Sequence, residues 1–520
     1  MASRRRFLVT SSGLIVATPL AGAWASKSDS DPFQLGVASG CPRPNQVTLW
    51  TRLAPAPLQG GGMPDEDLTV RCRISRDSEM RTSIVDTLVN APAEDAHSVH
   101  FIAKGLAPNT EYFYQFYVGE DASPIGRTRT APAPGDERTI RLAVASCQHF
   151  EAGYYAAYAD IARSLPDLVV HLGDYIYEYG PRPLGRGTHP LQPDVEINVV
   201  RQHASPEVVT QWDYRNRYAQ YRLDPDLQAA HAAAPWVVSM DDHEIDNNWA
   251  GYHPEDPHRQ TDLEFRVRRW AAMKAFYEHM PLEHPPRLNN LDASLQIYDQ
   301  FQFGSQLNLM LLDTRQYRSD QPCGQAFPAD DDCSDRHDPA LTMLGQNQET
   351  WLKGALRNSD TQWNLLAQQT WFSEFRYPEE RYNMDQWDGY TAQRGRLMDE
   401  LANPQLSNPV ILSGDWHCGA GFDVLKDFSQ PDSEKVAAEL AVTSISSPCL
   451  WSSAVAAAVP DNAHTKYYGG DQRGYLWCEI SSENMIAENR VVVAPDRVDS
   501  VVVNHASLRV EAGKRGLDRL

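Results

Sequence analysis

The sequence predicts an α/β fold preceded by a smaller domain of β-strands, and three observations support this. From residue 140 onward, short apolar runs typical of buried strands alternate with longer stretches of helical character. Between residues 31 and 133, short alternating segments are separated by turn residues. Residues 131–136, Ala-Pro-Ala-Pro-Gly-Asp, are typical of a linker. We therefore expect two domains, at residues 31–133 and 140–505.

The N-terminal domain is predicted to be a small β-sandwich. Residues 47–53 and 68–74 alternate apolar and polar side chains, as half-buried strands do. The spacing Leu-x-Pro-x-Thr-x-Tyr at residues 106–112 resembles the corner of fibronectin type III domains, where a tyrosine hydroxyl binds nearby backbone. We expect Tyr112 to make this contact.

The second domain has six apolar runs that predict its strands, at residues 140–145, 168–171, 236–240, 307–312, 363–367 and 410–413. One helix is strongly marked, because Thr261 and Glu264 form a capping box. On its predicted face, apolar residues recur at helical spacing and indicate core packing: Trp270, Met273, Tyr277 and Met280.

The net charge and the lengths of the apolar runs exclude some classes of function. The 520 residues carry a formal net charge of −22, which argues against general nucleic-acid binding and fits a protein that holds cations. After residue 30, no apolar run approaches the roughly 20 residues of a membrane span.

The N-terminus predicts export. Arg4, Arg5 and Arg6 precede Phe-Leu and an apolar segment, and Ala23-Trp24-Ala25 forms a small-x-small cleavage site. The paired arginines resemble a twin-arginine signal, so we expect residues 1–25 to engage the twin-arginine export machinery. The protein is then periplasmic or secreted. The alternative is a basic start on a mature helix.

Eight cysteines occur, and none forms a C-x-x-C zinc pattern. Cys323 and Cys333 flank a loop rich in Pro, Asp and Gly and are candidates for a disulfide in an oxidising compartment. Five histidines outside these motifs are expected at the surface: His97, His100, His231, His337 and His464.

Acidic, thiol or imidazole groups follow five of the predicted strands. In an α/β sheet, ligands bind outside the carboxyl ends of the strands, so these groups are expected to converge. They are Cys147 and His149 after the first strand, Asp174 and Tyr177 after the second, Asp241, Asp242, His243 and Asn247 or Asn248 after the third, Asp313 and Arg315 after the fourth, and Asp415 and His417 after the last.

Several carboxylates in one pocket repel one another unless cations lie between them, so the pattern predicts a metal centre. Asp174 has two oxygens and can bridge two ions, and Tyr177 can reach back to the same centre. Gly173 lets the backbone turn sharply before Asp174. The thiol of Cys147 and the tyrosine phenol suit a strong Lewis acid, whereas carboxylate and amide oxygens suit calcium, magnesium or manganese. The mixed set indicates two different ions.

These motifs resemble the calcineurin-like metallophosphoesterases, and within them the PhoD-type alkaline phosphatases. The similarity is carried by Ser-Cys-Gln at 146–148, HLGDYIYEYG at 171–180, DDHEIDNNWAG at 241–251, LLDTRQYRSDQPC at 311–323 and SGDWH at 413–417. The family implies a two-sheet metallophosphoesterase-type α/β sandwich, with one ferric ion (Fe3+) and calcium (Ca2+) as cofactors.

The resemblance also implies roles for the site residues. Cys147, Asp174 and Tyr177 match iron ligands, with Asp415 or His417 completing the shell. Asp174 would bridge to calcium, which Asp242 and either Asn247 or Asn248 would also bind; we select Asn248. His243 occupies the position of a general acid for the leaving alkoxide. Two departures from the wider superfamily weaken a two-zinc or two-manganese site: Cys147-Gln148-His149 replaces Asp-x-His, and Gly414-Asp415-Trp416-His417 replaces Gly-His-x-His.

The predicted function is that of a secreted phosphoric ester hydrolase. An alkaline phosphatase that releases phosphate from small-molecule phosphomonoesters, by attack of a metal-activated hydroxide or oxide, fits the pattern. Arg315 is a candidate for binding the phosphate, as are Arg215 and Arg217, although Arg315 could instead pair with Asp313 to fix the loop. The alternatives are a phosphodiesterase or phospholipase D-like hydrolase, and a secreted binding protein with a structural metal site.

Overall fold

The computed structural model describes residues 30–189, 192–289, 291–324 and 333–520. The predicted signal, residues 1–25, lies outside the described residues. Within the described residues, no helix is both long and apolar enough to cross a bilayer.

The first eight strands along the chain belong to the N-terminal part. They are β1 Val37–Arg43, β2 Gln46–Arg52, β3 Leu68–Ser75, β4 Val85–Ala91, β5 Ser98–Lys104, β6 Glu111–Val118, β7 Asp121–Ala122 and β8 Gly126–Arg129.

These strands form two layers around an apolar core, but only one layer is a separate sheet. β4, β3, β6 and β7 pair in that order, and β8 also pairs with β6, at residues 111–114. The facing layer is β1, β2 and β5, and β1 pairs in parallel with a strand of the second domain through Ser39↔Pro235 and Gly40↔Trp236. The predicted sandwich therefore shares a sheet with the α/β part, and the division between residues 133 and 140 stays a prediction.

The predicted tyrosine contact is present in the first domain. Tyr112 is buried, and its hydroxyl accepts a hydrogen bond from the backbone N–H of Ala107 at 2.8 Å. This bond satisfies a backbone donor at the corner that leads into β6.

The remaining chain adds eighteen strands and seven α-helices within the described residues. The strands are β9 Ile140–Ala145, β10 Leu168–His171, β11 Gly185–His189, β12 Gln192–Val199, β13 Pro235–Val238, β14 Arg287–Asn289, β15 Asp292–Ser294, β16 Asp299–Phe303, β17 Leu307–Leu311, β18 Trp363–Ala367, β19 Pro409–Ser413, β20 Gly419–Leu425, β21 Lys435–Ala441, β22 Thr465–Gly469, β23 Gly474–Ile480, β24 Asn484–Val492, β25 Val502–Glu511 and β26 Asp518–Arg519. The helices are α1 Ala156–Ser164, α2 Gln211–Arg222, α3 Pro225–Ala233, α4 Asp262–His279, α5 Gly345–Arg357, α6 Thr391–Leu401 and α7 Ser452–Ala458.

Two large sheets form the centre of this part. One has the order β26-β25-β24-β23-β9-β10-β13-β1-β2-β5, and the other β16-β17-β18-β19-β21-β20-β22. The strands β9, β10 and β13 run parallel, as do β17, β18 and β19. The main core lies between the sheets and includes Val144, Val170, Leu309, Leu365 and Val410. The predicted two-sheet α/β fold is confirmed.

The six predicted strands correspond to β9, β10, β13, β17, β18 and β19, with ends within two residues of the prediction. The capped helix is α4, where Thr261 Oγ1 accepts from the backbone N–H of Glu264 at 3.3 Å. Met273 and Met280 are fully buried, as expected of a core-facing stripe. Cys323 and Cys333 form a disulfide with Cα atoms 5.9 Å apart.

The surface position expected for several histidines is wrong. His97, His231 and His464 are buried. The His231 ring stacks on Trp236 with centroids 3.8 Å apart and lies 2.8 Å from the Tyr175 hydroxyl. Neighbours in sequence say little about burial when the packing partner comes from another element.

Candidate metal centre

The carboxyl ends of four parallel strands meet at one cavity of about 250 Å³. Loops after β9, β10, β13 and β19 line it. The loop before α7 completes the wall. The lining residues are His149, Asp174, Tyr177, Tyr179, Arg182, Asp242, His243, Asn247, Asn248, Asn383, Asp385, Asp415, Trp416, His417, Ser447, Pro448, Leu450 and Trp451.

Five of the predicted metal ligands adopt left-handed backbone conformations. Their φ values are 57° for Cys147, 57° for Asp174, 53° for Asn248, 61° for Asp415 and 56° for His417. Non-glycine residues rarely occupy this region, and they persist there only where surrounding structure enforces it. Each loop therefore reverses abruptly at the residue that it presents to the cavity.

Gly173 is required before Asp174, as the sequence indicated. Its φ is +107°, and a Cβ atom at this position would lie 2.4 Å from the backbone nitrogen of Asp241. The missing side chain lets the loop after β10 approach the loop after β13. Glu244 joins these loops, because its carboxylate accepts from the N–H groups of Asp174 at 3.1 Å and Asp241 at 2.8 Å.

The first group of ligand-type side chains comprises Cys147, Asp174 and His417. Their donor atoms lie within 4.8 Å of one another. The Tyr177 hydroxyl donates to Asp174 Oδ2 at 2.8 Å and lies 3.1 Å from His417 Nε2. Ser447 Oγ in turn donates to the Tyr177 oxygen at 2.7 Å. A thiol, a carboxylate, a phenol and an imidazole thus face one point.

The orientation of His417 suits a metal ligand. Its Nδ1 lies 3.0 Å from the carbonyl of Pro448, which can only accept, so Nδ1 carries the proton. Nε2 then presents its lone pair to the first group. Burial lowers the pKa of His417 to about 3, which keeps the ring neutral.

The second group comprises Asp174, Asp242 and His243, with donor atoms again within 4.8 Å of one another. The backbone N–H of Asn248 donates to Asp242 Oδ2 at 2.8 Å, which places Asn248 beside this group. The Asn247 amide instead donates to Glu255 at 2.5 Å. Asp174 belongs to both groups and lies between them.

A third group, Asp241, Asp242 and Asp415, lies beneath the second, with donor atoms within the same 4.8 Å. The sequence could not separate the duties of Asp415 and His417, whereas the structure places them apart. His417 lies with Cys147, and Asp415 lies with the two aspartates after β13.

Arg315 is enclosed by this third group. It is fully buried, with Nε 2.6 Å from Asp241, Nη1 2.9 Å from Asp385, and Nη2 3.5 Å from Asp415 and 3.8 Å from Asp242. Its side chain does not line the cavity.

The structure also gives other partners to Asp313, Arg215 and Arg217 than the sequence suggested. Asp313 accepts from the Arg315 backbone N–H at 3.0 Å and forms no side-chain pair with it. Arg215 pairs with Glu278, and Arg217 binds backbone carbonyls of Tyr177 and Tyr179. None of the three arginines is among the residues that line the cavity.

Crowding of these buried carboxyl groups shifts their pKa values. Burial, followed by neighbouring charges, raises the pKa of Asp174 and Asp415 well above their usual range. For Asp241, burial outweighs Arg315 and raises the pKa to about 7. Burial acts on Asp242 in the same direction, but Arg315 and His243 outweigh it and lower its pKa. Protons or cations must offset this negative charge, and multivalent cations do so most effectively.

His243 is held between a carboxylate and an aromatic face. Nδ1 lies 2.7 Å from Glu178 Oε2, and the ring stacks on Tyr177 with centroids 4.2 Å apart. Burial lowers the pKa of His243, but Glu178, Asp242 and Asp174 outweigh it and raise the pKa well above its ordinary value. Glu178 itself is buried and also accepts from the Asn247 N–H at 3.0 Å.

The sequence reasoning missed Arg182, which lines the cavity. Its Nε donates to Glu151 Oε2 at 2.8 Å and its backbone N–H to Glu151 Oε1 at 3.0 Å. Glu151 is fully buried, and Arg182 Nη2 lies 2.9 Å from His149 Nε2. The signal was a single arginine two residues after the HLGDYIYEYG motif, without a pattern of its own.

Comparison with known proteins identifies the relatives of this chain. A family model described as PhoD-like phosphatase matches residues 142–489, and the N-terminal domain of PhoD-like phosphatases matches residues 18–132. Alkaline phosphatase D of Bacillus subtilis (strain 168) is 41% identical over 505 residues, which cover 95% of this chain and 84% of that protein.

Solved structures agree with the family match. A structure of PhoD superposes with a TM-score of 0.87 at 40% identity, covering 95% of this chain and 93% of that one. Purple acid phosphatase PPD1 from yellow lupin (Lupinus luteus) seeds has a TM-score of 0.53 at 11% identity, covering 92% and 73%, a likeness of fold alone. The resemblance found in the sequence is thereby confirmed: the chain belongs to the PhoD-like phosphatase family and is a phosphoric ester hydrolase.

Proposed function

We propose that this chain is an exported alkaline phosphatase that releases phosphate from small-molecule phosphomonoesters and uses ferric iron and calcium. The observation that carries this proposal is the pair of ligand groups that share Asp174 at the floor of one cavity. The open side of the groups faces the cavity, as a hydrolytic site requires and a closed structural site does not.

The donor sets fit two different ions. Cys147, Asp174, Tyr177 and His417 would hold ferric iron, because thiolate and phenolate ligands suit a strong Lewis acid. Oxygen ligands suit calcium, and the adjoining group supplies them from Asp174, Asp242 and the neighbouring amide of Asn248. Asp415 would add negative charge to the calcium side. These assignments are ours.

Such ions, when bound, would polarise the phosphate and generate a nucleophile from water. The chain's own residues complete the site. Asp174 orients both groups, and Tyr177 holds one Asp174 oxygen through its hydroxyl at 2.8 Å. Buried Arg315 holds Asp241 and Asp385 in position through close ion pairs and favours the ionised forms of Asp242 and Asp385.

His243 would donate a proton to the oxygen of the leaving alcohol. Its Nδ1 is bound by Glu178 at 2.7 Å, so Nε2 is the nitrogen available to the substrate. The Glu178 carboxylate favours the protonated ring, and stacking on Tyr177 fixes its plane. A positioned acid with these two supports meets the geometric requirement for general acid catalysis.

Arg182 would bind the non-bridging phosphate oxygens. Among the arginines discussed above, it is the one whose side chain lines the cavity. The buried carboxylate of Glu151 holds its Nε at 2.8 Å, so the guanidinium is positioned before substrate arrives. Preorganised donors of this kind stabilise the charge that spreads over the phosphoryl oxygens.

A phosphodiesterase activity is the second candidate. Trp416, Leu450 and Trp451 form an apolar part of the cavity wall, beside the two ligand groups. This wall offers contact area for a second ester group, which a phosphomonoester lacks. The binding-protein alternative fails, because the family is one of hydrolases.

Export is supported by the sequence of residues 1–25 and by the disulfide between Cys323 and Cys333, which is typical of oxidising compartments. A twin-arginine route would deliver the protein folded to the periplasm or beyond. Fusing residues 1–25 to a reporter protein tests this, because replacing Arg4 and Arg5 with lysine should stop its export.

The central experiment is a metal inventory joined to an ester assay. The full chain is produced in a host with twin-arginine export, its metals are quantified, and an aryl phosphomonoester is compared with a bis-aryl diester. Asp174→Ala should remove metal and turnover together, whereas the exposed control Asp360→Ala should retain both. Normal turnover in Asp174→Ala would contradict the shared-ligand assignment.

A further inference from the structure

Two free cysteines lie directly behind the cavity wall. Cys418 is fully buried immediately before β20, and Cys449 is half-buried in the loop before α7. Cys418 belongs to the apolar cluster around Trp371 and Phe422, and Cys449 packs against the same cluster.

Flanking contacts hold the two chain segments side by side. His417 Nδ1 donates to the Pro448 carbonyl at 3.0 Å, and Trp451 Nε1 donates to the Trp416 carbonyl at 3.2 Å. The rings of Trp416 and Trp451 also pack with centroids 4.5 Å apart. These contacts hold the two residues before Cys418 against residues 448 and 451, which flank Cys449, and so bring the two cysteine-bearing segments together.

We propose that Cys418 and Cys449 form a second disulfide, beside the metal centre. The inference depends on the proposed function only through export, because the oxidant is a disulfide-bearing compound or protein of an oxidising compartment. The more accessible Cys449 thiolate attacks one sulfur of the oxidant, which releases one thiol and leaves a mixed disulfide. Cys418 then attacks the Cys449 sulfur and displaces the second thiol. Two electrons pass to the oxidant, and the protons of the two cysteine thiols leave with them.

The bond would fix the part of the wall that the site depends on. The segment of Cys449 also supplies the Pro448 carbonyl that orients His417 and the Leu450 and Trp451 side chains that line the cavity. In the reduced protein, hydrogen bonds and ring packing hold this segment to the residues that lead into the strand starting at residue 419. Oxidation converts that association into a covalent one.

Peptide mapping tests the bond directly. The metal-loaded full chain is equilibrated with glutathione disulfide, blocked with N-ethylmaleimide and digested without reduction. We expect a cross-linked peptide pair that contains Cys418 and Cys449, in addition to the pair that contains Cys323 and Cys333. Alkylation of both Cys418 and Cys449 while Cys323 and Cys333 remain linked would overturn the proposal.

Thermal unfolding gives an independent measurement. Wild type should unfold at a higher temperature after oxidation than after reduction, since a cross-link restricts the unfolded chain. Cys449→Ser should lose part of that increase, whereas Cys41→Ser, another half-buried free cysteine, should keep all of it. An equal increase in Cys449→Ser and wild type would contradict the bond. Loss of ester hydrolysis with the cross-link present would instead count against the proposed function.

Discussion

Replacing Arg315 with methionine should destabilise the protein strongly, because methionine keeps much of the side-chain length but none of the charge. Arg315 is fully buried and makes close contacts with Asp241 at 2.6 Å and Asp385 at 2.9 Å. Breaking a buried ion pair by removing one partner costs about 3–5 kcal/mol. Here Asp241 would lose its arginine partner, whereas Asp385 would keep Arg318 at 2.8 Å. Two charge-assisted hydrogen bonds of about 1.5–3 kcal/mol each give a similar total.

The metal-free protein should show the full loss of folding stability in Arg315→Met. Without bound cations, Arg315 is the arginine in contact with Asp241, Asp242 and Asp415, whereas Asp385 also pairs with Arg318 at 2.8 Å. Burial opposes ionisation of Asp242 and Asp385, but Arg315 outweighs it, together with His243 at Asp242 and with Arg318 at Asp385, and their pKa values are lowered. The variant should therefore also bind metal more weakly as the pH falls, because these carboxyl groups become protonated at higher pH.

Urea unfolding of chelated wild type and variant, followed by tryptophan fluorescence, measures the free-energy difference. Arg396→Met is the matched control, because Arg396 pairs with Glu349 at 2.7 Å but is more than one-third exposed. Such pairs contribute less than about 1 kcal/mol. If Arg315→Met were no less stable than this control and retained its metals, the carboxylates would not depend on the buried arginine.

Three further predictions address the proposed acid, the proposed iron ligand and the effect of pH. His243→Asn should lower kcat by about 10²–10⁴ for alkyl phosphates and less for nitrophenyl phosphate, whose leaving group needs no proton; equal losses on both would exclude an acid role. Cys147→Ser should lower iron content while calcium content is retained, as measured by elemental analysis, and parallel loss of both metals would contradict separate groups. Burial opposes ionisation of Glu349, but hydrogen bonds from Arg396 and its neighbours lower its pKa from 4.5 to about 2. Its contribution to stability is thus present above pH 4.5 and lost toward pH 2, so urea unfolding should show the difference between wild type and Glu349→Gln shrinking over that window, and a constant difference would refute it.

Much of the site could be predicted from sequence because each ligand loop is local. A buried apolar run followed at once by Asp174 or Cys147 places a polar group at a strand end, and parallel strands bring such ends to one edge. Residue type then indicates the chemistry. Convergence of Cys147, Asp174, Asp242 and His417 followed from these two facts and is observed.

The interactions that the sequence did not predict join residues that are far apart along the chain. Arg315 was recognised, but its partners Asp241 and Asp385 lie about 70 residues away on either side, so its burial had no local signature. The support of Arg182 by Glu151 joins two loops in the same way. Pairing of β1 with β13 depends on a register between residues 39 and 235, which no periodicity encodes.

The left-handed ligand residues show how the fold and the site constrain each other. Each such residue has an unfavourable backbone conformation, and residues of this kind persist only where the surrounding structure enforces them. Here the enforcement comes from packed strands beneath and from bonds between loops, such as Glu244 to the N–H groups of Asp174 and Asp241. Trp416, between Asp415 and His417, packs against Trp371 and Trp451 and also lines the cavity. The left-handed turns at Cys147, Asp174, Asp415 and His417 thus occur where side chains from separate strands come within 4.8 Å of one another in groups of three.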